Sequence, residues 1–254
     1  MEVHHHPHVE KKGIKEYFLE FIMIFLAVTL GFFAENIREY ISSRDKENID
    51  IRSLSRNLTD DSAMIDYQIQ SNETGTQTID SMMELIRSGR YKDEPEMLYR
   101  FAYTSRGFQD FQYSNITYEE MKSSGSFGFI RKIDIRNDLV NYNNFITDGL
   151  RGLESRMLET EKNQANLQSD ILDDSFYPSV DSIIYKHTLR LHFYKNKNKS
   201  PFLGGKQAQF SKLYNLLFER NVILHYYQLN MKKLKDLNGQ LLATIYKEYH
   251  LKNE

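Results

Sequence analysis

The sequence predicts an all-α fold, with an N-terminal transmembrane helix continuing into a bundle of long helices with coiled-coil-like seams. Three observations lead there. Residues 17–36, YFLEFIMIFLAVTLGFFAEN, are apolar almost throughout and carry no charge between positions 21 and 34. Helix breakers are scarce, with 4 prolines and 12 glycines in 254 residues, which favours long helices. Beyond the apolar run, hydrophobic residues recur three and four positions apart over long stretches, a spacing that gathers them on one helix face.

The apolar run is the first element. A bilayer core of about 30 Å takes roughly 20 apolar residues at about 1.5 Å each, a length the run reaches once Ile14 and Ile37 are counted. A core helix of a soluble protein keeps a polar stripe; here only Thr29 and Gly31 relieve Phe, Ile, Leu and Met on every face. Signal-peptide cleavage needs small residues at alternate positions, and Phe32-Phe33-Ala34 puts a bulky ring where one belongs. With no cysteine, a lipoprotein anchor is excluded, as are disulfides and thiolate chemistry. The expectation is therefore a disordered tail over 1–13, a signal anchor over 14–37 and a soluble helical bundle over 38–254. Lys11, Lys12 and Lys15 precede the span and only Arg38 and Arg44 closely follow it. By the positive-inside rule, the N-terminus faces the cytoplasm and the bundle lies in the periplasm, at the cell inner membrane.

Four residues of the anchor are candidates for function. Glu20 is an acid inside the span, and either carries a proton or ion, pairs with another helix, or reaches the headgroups from its place near the helix start. Ala27 and Gly31 form a small-xxx-small pair on one face, which lets two membrane helices approach closely. Glu35 lies at the exit and counts little in the charge balance that sets orientation.

The soluble part follows in order. Ile37, Ile41, Ile51, Leu54, Leu58, Ile65 and Ile69 predict an amphipathic helix running out of the bilayer to about Asn72, closed by Gly75. A shorter helix is expected over 78–88 with Ile79, Met82, Met83 and Ile86 inward. Asp93-Glu94-Pro95-Glu96 reads as a helix start, with Pro just inside and acids in the first turn. Residues 108–130 are crowded with aromatics. There Asn115-Ile116-Thr117 introduces a short helix that breaks at Gly125, after which Phe127, Phe129 and Ile130 are expected to plug the core. A third long helix is expected over 134–173. Leu139, Tyr142, Ile146, Leu150, Leu153, Met157, Leu167 and Ile171 make its seam, and Thr160 and Gln164 interrupt it. Asp173-Asp174-Ser175 marks a solvated boundary, Pro178 opens a helix over 179–194, and KNKNKSPFLGGK is an exposed basic connector. The last segment, 207–251, carries the most regular heptads, with Arg220 and Asn238 as polar seam positions that can fix register.

No set of residues points to chemistry. Thirty-three basic against 35 acidic residues leave no clustered positive footprint, which argues against nucleic acid as a partner. The His4-His5-His6-Pro7-His8 tract lacks a carboxylate or thiol to complete a metal site, and Pro7 breaks its register. His187 and His192 are five apart and fall on different helix faces, and His225 stands alone beside a seam. Neither a G-x-S-x-G elbow nor a phosphate-binding glycine loop occurs. No catalytic, cofactor-binding or metal-binding residue is assigned, and no cofactor is expected.

The order of features resembles an uncharacterised family of single-pass membrane proteins widespread in Bacteroidota, defined by a domain of unknown function. The likeness rests on the span with Glu20, Gly31, Ala34, Asn36 and Glu39. It continues in Thr117-Tyr118-Glu119-Glu120-Met121-Lys122-Ser123-Ser124-Gly125, then Phe129-Ile130, then Ile135-Arg136-Asn137-Asp138-Leu139. Members commonly have Trp at the membrane exit, where this chain has Ile37. The resemblance implies architecture, with Tyr118, Glu119, Ser124 and Gly125 as its motif, and no activity.

The function expected is that of a non-enzymatic, membrane-anchored scaffold. Its partners would be the lipid bilayer together with a second copy of the chain or an unidentified membrane or periplasmic protein. The alternative is a periplasmic sensor of the four-helix kind, which would signal through a separate membrane partner because the tail is too short for an output domain. An ion-driven assembly built on Glu20 is a third possibility, set back because one span cannot enclose a path.

Overall fold

The computed structural model describes residues 13–176, 200–203 and 207–251. Among the described residues the fold is all-α, with an isolated antiparallel bridge between Leu172 and Phe202 and no strand. The tail with its histidine tract, the helix expected over 179–194 with His187 and His192, and most of the basic connector lie outside the described residues.

Helix α1 spans Ile14–Arg87, 74 residues and so roughly 110 Å long at about 1.5 Å per residue. The expected stop at Gly75 and a separate helix beyond it do not occur. A glycine inside a helix costs about 1 kcal/mol against alanine, which the packing of neighbouring Thr76 and Ile79 outweighs, both being buried. Thr74, Thr76 and Thr78 each return their hydroxyls to the carbonyl four residues back, so no backbone is competed away. The turn comes after Ser88, at Gly89, whose φ of 76° a residue with a side chain rarely adopts.

Helix α2, Pro95–Thr104, begins with proline in its first turn as expected and buries Leu98, Tyr99 and Ala102. Residues 105–115 then run without helix as a strap down the side of the bundle. Helix α3, Ile116–Ser124, ends at Gly125 with φ 78°. Ile130 is buried and Phe127 packs against the core, but Phe129 is 41% exposed, contrary to expectation. The turn that holds it gives its inward position to Ser126, which donates to Asp50 at 2.7 Å.

The third long helix is in three parts: α4 Ile133–Asn144, a π-helical turn Phe145–Leu150, and α5 Arg151–Ile171. The interval from Tyr142 to Met157 is one residue longer than two heptads, and the π turn absorbs the surplus. It also rotates the seam, so that Glu154 is buried and Leu153, expected inward, lies only at its edge. Gln168 is likewise buried where Leu167 was expected, and Asp173, expected in solvent, is 7% exposed beneath Tyr99.

Helix α6, Gln207–Tyr249, carries the heptad seam predicted for it, from Phe210 through Leu224 and Tyr227 to Ile245, with Arg220 and Asn238 buried in it. Its end meets the foot of the bundle, where Tyr249 reaches Glu47, and its start stacks Phe210 on Tyr91 at the top, ring centroids 4.1 Å apart. Two elements therefore rise (α1 and α4–α5) and two descend (α2–strap–α3 and α6), giving an up-down-up-down bundle. Its core comprises a lower cluster around Ile51, Leu139 and Met231 and an upper one around Ile79, Leu98 and Leu217.

Candidate functional site

The first third of α1 differs from the rest. Its most apolar stretch has a mean hydropathy of 2.1, and none of it is buried by the chain. Phe32, for example, is 70% exposed. By length and composition this is a helix able to cross a bilayer. Thr29, the one aliphatic hydroxyl within it, donates to the Phe25 carbonyl at 2.8 Å and so asks nothing of its surroundings. Ala27 and Gly31 are exposed on this segment, and a side chain at Gly31 would meet nothing within 4 Å. Glu35 pairs with Arg38 one turn on, at 2.9 Å, an exposed ion pair of small energetic weight. Glu20 lies on the same segment, partly covered.

Where α1 enters the bundle, Glu47 is 1% exposed and gathers three donors. They are the Arg131 backbone N–H at 3.0 Å, Arg131 Nε at 3.1 Å and the Tyr249 hydroxyl at 2.6 Å. The Tyr118–Gly125 motif builds this junction. Tyr118 is buried edge-on to Phe127 and Glu119 pairs with Lys122, while the left-handed Gly125 turns the chain so that Ser126 meets Asp50 and Arg131 meets Glu47. Ser124 bonds Ser126 across that turn at 3.1 Å. These motif residues therefore lock the helix leaving the apolar segment to the rest of the bundle.

The strap has no ladder of its own, so its backbone groups require partners. Polar side chains from the helix seams supply them. Asp61 accepts the Ser114 N–H at 2.7 Å, Glu154 the Phe111 N–H at 2.8 Å, and Glu161 the N–H groups of Gly107 and Phe108 at 2.6 and 3.0 Å. Gln68 donates to the Gln109 carbonyl at 3.1 Å. The acids are held in turn by tyrosines: Tyr142 donates to Asp61 at 2.8 Å and Tyr227 to Glu154 at 3.0 Å. Burial drives the Asp61 pKa up, against the two hydrogen bonds that favour its charge. Burial also drives up Tyr142 and Tyr227, each beside a carboxylate, so both phenols stay protonated donors. Sequence reasoning missed Asp61, Glu154 and Glu161. A signal existed, since Asp61 and Gln68 continue the heptad spacing of Leu54, Leu58 and Ile65 in α1.

Beside the upper strap, between α1, α5 and α6, lies a cavity of about 560 Å³, within the range of small-molecule sites. It opens where the α1 seam carries Asn72 and Gly75 in place of larger residues. A Cβ on Gly75 would stand 3.6 Å from Leu224. Two guanidinium groups line it, Arg106 and Arg220, and no carboxylate does. Arg220 is 3% exposed and donates to Gln164 Oε1 at 2.6 Å and Glu161 Oε2 at 2.8 Å, but its Nε has no hydrogen-bond partner. Burial lowers its pKa most, Glu161 opposes that, and Arg106 adds to it. Asn72, 5% exposed, has no partner for its amide Nδ2. A buried donor left unpaired costs about 1–3 kcal/mol, so two at one cavity need a reason. His225, the lone histidine of α6, faces outward elsewhere, with Nδ1 2.9 Å from the Asn221 carbonyl.

No protein-family model, curated protein or solved structure matches the chain.

Proposed function

We propose that the protein is a membrane-anchored helical scaffold that works by binding a partner or a second copy of itself and performs no catalysis. One observation carries the reading: α1 is bare and apolar at its start, yet from Glu47 onward the same helix forms a wall of the bundle. Lipid would supply the apolar contacts that the chain does not. Residues 14–37 then form the single span, and the lysine excess before it favours a cytoplasmic N-terminus with the bundle in the periplasm at the inner membrane. The junction formed by Tyr118–Gly125, Glu47 and Asp50 fixes the bundle on its stalk, and Ala27 with Gly31 offers a face for a second span. The likeness to the Bacteroidota single-pass family is in keeping with this architecture. Crosslinking in intact cells followed by purification should capture a reproducible protein partner or a self-crosslinked dimer. Turnover of a substrate by the purified chain would overturn the reading.

The second reading is a ligand sensor, and the cavity favours it. Asn72 and Gly75 stand on the same unbroken helix as the anchor, about 55 Å along it from Ile37. A ligand that preferred one packing of α1 against α6 would shift the stalk by that difference in affinity.

A further inference from the structure

We propose that the turn at the foot of the bundle, residues 126–133, is a second membrane contact, with Phe129 and Ile133 seated in the headgroup layer beside the span. The proposal rests on the anchored reading above and adds a partner surface to it, the lipid interface itself. The depth of α1 in a bilayer follows from its tyrosines. Tyr17 and Tyr40 are both exposed and stand 23 residues apart, one at each end of the apolar segment, which is about 35 Å at about 1.5 Å per residue. A hydrocarbon core is about 30 Å thick, and the bilayer about 40–45 Å with its headgroups. Both rings therefore fall in the headgroup layers, where tyrosine is enriched because its body is apolar and its tip polar.

The turn comes down to that level. Its bonds to α1 step towards the bilayer: Ser126 donates to Asp50 at 2.7 Å, the Arg131 N–H to Glu47 at 3.0 Å, and Arg131 Nη1 to the Tyr40 hydroxyl at 3.5 Å. From Asp50 to Tyr40 is 10 residues of one unbroken helix, a descent of about 15 Å. Phe127 and Ile130 turn inward to the core, whereas Phe129 and Ile133, two residues to either side of Arg131, are 41% and 50% exposed. Charge decides which lipid surface they meet. Lys122 pairs with Glu119, Arg131 with Glu47 and Lys132 with Glu248, so these cations of the turn and its approach are engaged within the chain. They have little charge left for anionic headgroups, and the contact is an apolar one that a zwitterionic bilayer provides. The span sets the depth of the protein and the turn sets the lean of its stalk, a tilt that interfacial anchors control.

The chain has no tryptophan, so single-tryptophan variants report one place each. Three are compared as full chains in phosphatidylcholine nanodiscs: Phe129→Trp, Phe25→Trp in the span, and Leu158→Trp, exposed on α5 and 25 residues further along the rising helices than Ile133. Part of the lipid carries either a headgroup spin label or bromine on its acyl chains. Phe129→Trp should lose half or more of its emission to the headgroup label, and Leu158→Trp almost none. Ile133→Trp should be quenched likewise. Adding Phe129→Asp to it should remove that quenching without lowering Tm, since Phe129 is exposed. Quenching of Phe25→Trp by bromine while Phe129→Trp matches Leu158→Trp would overturn the proposal and leave the anchor standing. No quenching at Phe25→Trp either would overturn the anchor, and the proposal with it. Quenching of Phe129→Trp only after anionic lipid is added would overturn the apolar contact. A Phe129→Trp shielded from aqueous acrylamide yet untouched by either lipid label would put protein there, a second copy or a partner, and overturn the proposal too.

Discussion

Replacing Glu154 by alanine tests the claim that seam acids hold the strap. Its Oε1 accepts both the Phe111 N–H, at 2.8 Å, and the Tyr227 hydroxyl, at 3.0 Å. Phe111 and Tyr227 are each 0% exposed, so water does not reach either donor once the carboxylate is gone. Each orphaned donor costs about 1–3 kcal/mol, for a total of about 2–6 kcal/mol. Arg151, bonded to the other oxygen at 2.6 Å, is partly exposed and adds little. Glu154→Gln keeps one acceptor oxygen and should cost no more than about 2 kcal/mol. Hydrogen exchange by mass spectrometry resolves where the loss falls. Peptides covering 105–115 should exchange about thirtyfold faster or more in Glu154→Ala, since each 1.4 kcal/mol is about a factor of ten, whereas the Ile51–Leu58 turns of α1 should change far less. Equal effects of Ala and Gln, or a strap exchanging at the unaltered rate, would refute the reasoning.

The remaining predictions concern charge, backbone and placement. Asp61 has its folded-state pKa raised above the ordinary 3.8, so its buried charge weakens the fold at neutral pH and the penalty disappears as pH falls through that raised value towards 3.8. Asp61→Asn lacks this titration. The stability of the unaltered protein over the variant should therefore widen on acidification from pH 7 (about neutral) in parallel thermal melts, and a narrowing gap would contradict the assignment. Gly75→Ala should raise stability by about 0.5–1 kcal/mol in denaturant titrations, because Gly75 lies within α1 and an added Cβ makes ordinary contact with Leu224 at 3.6 Å. Protease added to intact spheroplasts should digest the bundle; protection would reverse the orientation.

What was legible in the sequence followed from spacing. The α6 seam was readable because its threes and fours never slip, so even buried Arg220 and Asn238 fell on predicted positions. Pro95 and Gly125 marked their helix ends for local reasons of ring geometry and positive φ. Gly75 misled because a local breaker rule cannot weigh the packing of α1 against α6. The π turn could not be foreseen: a surplus residue between Tyr142 and Met157 leaves Leu153 and Glu154 equally eligible, and only the tertiary demand of Phe111 and Tyr227 for an acceptor selects the acid. The strap was hidden for the same reason, since the partners of its backbone groups lie 41 to 57 residues away in sequence. Of the candidate residues, the Tyr118–Gly125 motif converges on the stalk junction, while Glu20, Ala27, Gly31 and Glu35 remain spread along a helix that touches little of the chain. The cavity was not legible, because its walls come together only in the folded bundle.

Flotation of the full-length chain with liposomes, after alkaline carbonate extraction, bears most directly on the anchored reading. The account predicts that the protein stays with the lipid fraction and that removing residues 14–37 releases a folded, helical bundle to the soluble fraction. A full-length chain that remains in the supernatant without detergent as a monodisperse monomer would contradict it.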